Sequence, residues 1–155
     1  MAHELVLTRL LDAPAEKLYR LWTDPGRYAE WFCPKPWTVI RADCDIRPGG
    51  RSHITMQGPN GEVVENPGQY LEVVPNRKLV FTDAFTGDWV AKDGAPFMVA
   101  ILTFEPEGSP EHGKTRYTAT CHHWNEADRK KHEEMGFREG WGIAADQLEA
   151  LAKTI

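Results

Sequence analysis

Residues 126–153, EADRKKHEEMGFREGWGIAADQLEALAK, read as one long amphipathic helix closing the chain. Phe137, Trp141, Ala144, Ala145, Leu148 and Leu151 recur at three- and four-residue spacing, which places them on a single face. That face carries two aromatics at its front and small residues behind them. Gly136, Gly140 and Gly142 lie among these residues, and each costs about 0.5–1 kcal/mol relative to Ala in a helix interior. Such a helix lies along a curved sheet and leaves space beneath its aromatic end. Asn125, with Asp128 three residues later, supplies the cap.

Upstream, the pattern is that of strands. Residues 5–11 form the first, stopped at Asp12-Ala13-Pro14, where Pro14 suits the first turn of a helix. Leu18, Leu21 and Trp22 mark one face of that helix. Asp24-Pro25 starts a second short helix with Tyr28, Trp31 and Phe32 inward. Strands then follow at residues 37–44, 51–56, 62–74, 78–85, 97–104 and 114–122. Gly58-Pro59-Asn60-Gly61 marks a hairpin, and Asn66-Pro67-Gly68 interrupts the long third segment, because Pro lacks the ladder donor. Consecutive hairpins give an antiparallel meander, and only the C-terminal helix is large enough to cover its face. The fold expected is α+β: a strongly bent antiparallel sheet of about seven strands, two short helices after the first, and a long C-terminal helix over a cavity. Residues 1–155 read as a single domain.

Composition narrows the function. The chain holds 18 Lys and Arg against 23 Asp and Glu, a net charge of −5, so no basic field favours nucleic acid or an anionic membrane. No segment reads as a signal peptide or membrane span. Cys33, Cys44 and Cys121 are odd in number and irregularly spaced, which points to a reducing cytoplasm.

Several blocks resemble a known family. Thr8-Arg9, Asp12-Ala13-Pro14, Leu21-Trp22-Thr23-Asp24-Pro25 and Trp31-Phe32 are similar to the opening signature of the homologues of activators of the ninety-kilodalton heat-shock protein ATPase. So are Arg47-Pro48-Gly49-Gly50, Gly68-Gln69-Tyr70-Leu71-Glu72-Val73, Lys78-Leu79-Val80-Phe81-Thr82, Met135-Gly136-Phe137, Gly140-Trp141 and Gln147-Leu148. The resemblance implies the helix-grip fold of START domains, the birch-pollen-allergen group and polyketide cyclases, whose members enclose apolar small molecules. It departs from the family pattern at Trp31-Phe32-Cys33-Pro34, where Trp-Trp-Gly-Pro is common, and so sets Cys33 at the expected cavity mouth.

The expected ligand-binding set is Trp31, Met56, Tyr70, Phe81, Asp83, Phe85, Met98, His122, Phe137 and Trp141, with Trp22 and Phe104 assigned to the core. Asp83 shares strand parity with the apolar Leu79, Phe81 and Phe85, and a carboxylate aimed into an apolar space would have a raised pKa. Tyr70 and His122 are further polar candidates, and His53 or His122 could form a polar cluster with Asp83. No metal is expected: His122 and His123 point to opposite faces, His112 falls in a polar loop, and His132 lies off the inward stripe. No nucleotide loop or nucleophile elbow is present, so no cofactor and no catalytic residue are assigned. The reading is a small hydrophobic or aromatic ligand bound by a monomer or homodimer. The alternatives are a chaperone-ATPase regulator docking through exposed Trp89, and a cyclase- or hydrolase-like enzyme.

Overall fold

The computed structural model describes residues 3–108 and 113–155; His112 lies outside the described residues. The chain runs β1 (His3–Leu11), α1 (Ala15–Trp22), a 3-10 helix (Pro25–Glu30), β2 (Thr38–Cys44), β3 (Ser52–Gln57), β4 (Val63–Asn66) and β5 (Gln69–Val74). It continues through β6 (Lys78–Thr82), β7 (Met98–Glu107), β8 (Lys114–His123), α2 (Glu126–Glu134) and α3 (Phe137–Ala152). The fold is the expected α+β helix-grip arrangement.

The strands form a five-stranded sheet, β1-β8-β7-β6-β5, and a three-stranded sheet, β2-β3-β4. Among the described residues there are eight strands rather than about seven, because the long third segment divides at Pro67-Gly68. Its first half pairs with β3 and its second half with β6. The two sheets remain stitched at this corner: Ser52 N donates to Gly68 O at 2.8 Å and Tyr70 N to Gly50 O at 2.9 Å. A glycine is required there, since a Cβ on Gly68 would lie 2.7 Å from the Thr82 carbonyl oxygen. The bend makes the concavity that the helices cover.

Alternation sets the inner face. Leu5, Leu7 and Leu11 of β1 and Tyr117, Ala119, Cys121 and His123 of β8 are buried. Helix α1 adds Leu18, Leu21 and Trp22, and α3 adds Phe137, Ala145, Leu148 and Ala152. Phe104 is fully buried, as expected of a core residue. Gln147 fastens α3 across the 3-10 helix, donating to the carbonyls of Trp31 (2.9 Å) and Cys33 (2.7 Å).

One expectation is corrected. The C-terminal segment is not one straight helix: it breaks at Gly136, whose φ of 91° is left-handed, and α2 and α3 are separate. Asn125 caps α2 by accepting from Asp128 N at 2.8 Å. No residue of α2 is buried. It has no apolar stripe of its own, and it meets the rest of the fold through the His3–Glu126 pair (3.4 Å) and the ring of His132.

Candidate functional site

Between the bent sheet and α3 lies a cavity of about 550 Å³. Its deep wall is aromatic and apolar: Trp22, Trp31, Phe81, Phe137 and Trp141, with Ile54, Met56 and Met98. Each element contributes for a local reason. Phe81 and Met98 face inward from neighbouring strands, Met56 comes from β3, and α3 presents Phe137 and Trp141 one turn apart, with rings 5.8 Å apart. The small residues Gly140 and Ala144 then leave the adjoining volume open. Trp22, assigned to the core from its sequence pattern, also lines the cavity. Its ring is fixed by a bond from Nε1 to Tyr117 Oη at 3.1 Å and by edge contact with Trp31 at 4.9 Å.

The rim is polar. Asp83 follows directly on β6, and its carboxylate turns onto the start of β7, accepting from Phe97 N at 2.9 and 3.0 Å and from Met98 N at 3.1 Å. Lys92 approaches the same carboxylate at 3.4 Å. Both residues border the cavity, yet Asp83 is committed to organising the loop that closes its edge.

The histidines are arranged differently from the sequence reading. His122 points outward to Glu4 (3.5 Å) and does not line the cavity. Its neighbour His123, on the same parity as buried Tyr117 and Cys121, turns inward and meets His132 of α2, Nε2 to Nδ1, at 2.9 Å. His132 lines the cavity and packs against Phe97 (5.3 Å) and Phe137 (5.1 Å). Burial, with His123 adding to it, lowers the His132 pKa to about 4. Periodicity missed His132 because it assumed a straight helix through Gly136; the break swings α2 so that this ring faces inward.

Two further candidates sit elsewhere. Phe85 lies beyond the end of β6, which stops at Thr82, and stacks edge-on against Trp89 at 5.5 Å, away from the cavity. Tyr70 is buried opposite Phe81 in the β5–β6 register, but its ring belongs to the core beside Tyr28 and Cys44, and burial raises its pKa. His53 Nε2 donates to Thr86 O (2.7 Å), not to Asp83. The buried thiols of Cys33 and Cys121 are pushed up by burial to about 11 and about 12, so neither is a thiolate nucleophile. Among the described residues no group of three or more His, Cys, Asp and Glu is placed to hold a metal. No helix among them is long and apolar enough to cross a membrane.

This arrangement of bent antiparallel sheets, two N-terminal helical elements and a C-terminal helix has known counterparts. The family described as activator of Hsp90 ATPase homolog 1-like protein matches residues 12–153. The chain belongs to this family. The crystal structure of protein NE0264 from Nitrosomonas europaea is 38% identical, with a TM-score of 0.90 over 97% of this chain and 94% of that one. Protein Ms6760 from Mycobacterium smegmatis is 26% identical, with a TM-score of 0.76 over 96% and 89% of the two chains. The AHSA1 protein from Silicibacter pomeroyi shares the fold at 22% identity, with a TM-score of 0.71 over 97% and 98%. Among curated proteins, none matches this chain.

Proposed function

We propose that this member of the activator of Hsp90 ATPase homolog 1-like family binds a small, largely apolar ligand in the cavity beneath α3. The supporting observation is the cavity itself. Its volume of about 550 Å³ falls within the roughly 300–1,000 Å³ typical of small-molecule sites, and its wall is mainly apolar, rich in aromatic rings, with a smaller set of polar groups. A core built only for packing would fill such a space, because voids larger than a water molecule are few in protein interiors. Trp31, Met56, Phe81, Met98, Phe137 and Trp141 form the apolar wall of the proposed site, and Asp83 stiffens its rim.

Native mass spectrometry of the protein as purified, with thermal shift against a panel of apolar metabolites, tests the reading. A bound ligand at a hundred times its Kd stabilises by about 2.7 kcal/mol. No adduct and no shift across the panel would refute it.

The second reading is a docking module for a chaperone ATPase, as the family description suggests. Trp89 and Val90 favour it, being 56% and 59% exposed on one loop. Pull-down with the chaperone and assay of its ATPase rate, comparing wild type with Trp89→Ala, distinguish it from cavity binding.

A further inference from the structure

Two imidazoles form a series from the backbone to the cavity. The His3 carbonyl can only accept, so its 2.9 Å contact with His123 Nδ1 places a proton on that nitrogen. In the neutral ring, Nε2 of His123 then carries the lone pair. Its 2.9 Å bond to His132 Nδ1 therefore requires the proton on His132 Nδ1. His132 is held as the Nδ1–H tautomer, and its Nε2 is left as an acceptor. Among the described residues that nitrogen has no hydrogen-bond partner, and the ring borders the cavity.

We propose that His132 Nε2 is the polar recognition point of the cavity, and that the ligand is a neutral aromatic hydroxyl compound, a phenol, whose O–H it accepts. This inference rests on the cavity-binding reading above.

Three observations select that chemistry. Burial keeps His132 uncharged near neutrality, so it presents a lone pair rather than a cation. The charged residues lining the cavity are Glu65, Asp83 and Lys92, two carboxylates against one ammonium, and Lys92 is already 3.4 Å from Asp83. An anionic ligand therefore meets net negative charge. The rings nearest the acceptor, Phe97 and Phe137, lie 5.3 and 5.1 Å from the imidazole, so the body attached to the hydroxyl is met by aromatic faces and edges.

Calorimetric titration at pH 7 with 2-naphthol, 2-methylnaphthalene and 2-naphthoate tests the proposal. The first two share shape and differ in the donor; the third adds a negative charge. Wild type should bind 2-naphthol about tenfold more tightly than 2-methylnaphthalene, and 2-naphthoate most weakly. His132→Phe should bind the two neutral compounds alike. His123→Gln should retain the preference, because its side-chain carbonyl can accept from His132 Nδ1–H.

Should His132→Phe fail to fold, long-range 15N spectra of the wild-type histidines provide a second readout. They should show His132 as the Nδ1–H tautomer, with an Nε2 resonance that moves on adding 2-naphthol and stays put with 2-methylnaphthalene. Equal affinity for the two neutral compounds, a His132→Phe variant that keeps the preference, or an Nε2–H tautomer would overturn the proposal while leaving cavity binding intact. If neither neutral compound binds, the cavity reading falls and takes this proposal with it.

Discussion

Gly140 offers a perturbation whose sign depends on the cavity being open. It lies in α3 with its amide bonded to Gly136 O at 2.8 Å, and it borders the cavity. A Cβ built on it meets nothing within 4 Å. Gly140→Ala therefore removes the helix penalty of glycine without a clash, a gain of about 0.5–1 kcal/mol. For a domain of this size that raises Tm by roughly 2–4 °C per kcal/mol. Gly140→Leu adds an apolar side chain in the open space, worth up to about 1.5–3 kcal/mol when fully buried, so its Tm should exceed that of the Ala variant. Its affinity for 2-methylnaphthalene should fall at least tenfold, whereas Gly140→Ala should bind nearly as wild type. Gly142→Ala is the control on the same helix. There the new Cβ meets Arg9 Nη2 at 2.5 Å, and the arginine must give up its 3.4 Å approach to Asp146, so little or no gain is expected. Thermal denaturation and calorimetric titration read both quantities. Destabilisation by Gly140→Leu, or unchanged probe affinity in that variant, would refute the reasoning.

Further outcomes follow from the rim and the sheet corner. The lowered His132 pKa means that the unfolded chain, titrating near 6.5, takes up a proton before the folded chain does. Stability should fall by on the order of 1–2 kcal/mol as pH drops from 6.5 towards 4, solvent screening of the half-buried ring reducing the full linkage, and His132→Phe should lose that part of the slope in urea midpoints measured across the range. Asp83→Asn replaces a carboxylate that serves the amides of Phe97 and Met98 with a group whose NH₂ faces one of those donors. It should cost about 1–3 kcal/mol by chemical denaturation, with faster amide exchange at both positions. Gly68→Ala would set a methyl 2.7 Å from the Thr82 carbonyl oxygen, where no side-chain rotation relieves it. A loss of about 1–3 kcal/mol is expected, read as a lowered urea midpoint.

Much of the fold was legible because periodicity and punctuation agreed. Pro67-Gly68 marked the place where one strand becomes two, and Asp24-Pro25 marked the second helical element, which is a 3-10 helix. The apolar wall was legible too, since Phe137 and Trp141 share a helix face and Phe81 and Met98 face inward from paired strands. The polar half was not. His132 was hidden by treating residues 126–153 as one cylinder, although a stretch before Met135 that is polar except for Ala127 and a glycine at 136 were the signals of a break. His123 could have been chosen over His122 by extending the buried parity of Tyr117, Ala119 and Cys121. Phe85 was misplaced because strand parity was carried beyond Thr82, where the chain already turns, and nothing in the local pattern announced that end.

The most direct test of cavity binding uses the methionine methyls as reporters. Met56, Met98 and Met135 border the cavity, and they come from β3, β7 and the α2–α3 junction. With 13C-methyl methionine, titration with 2-naphthol should shift all three resonances together along one saturating curve, and Gly140→Leu should abolish the shifts. Saturable binding that leaves Met56 and Met98 unmoved, or no binding at millimolar probe, would contradict a ligand site beneath α3.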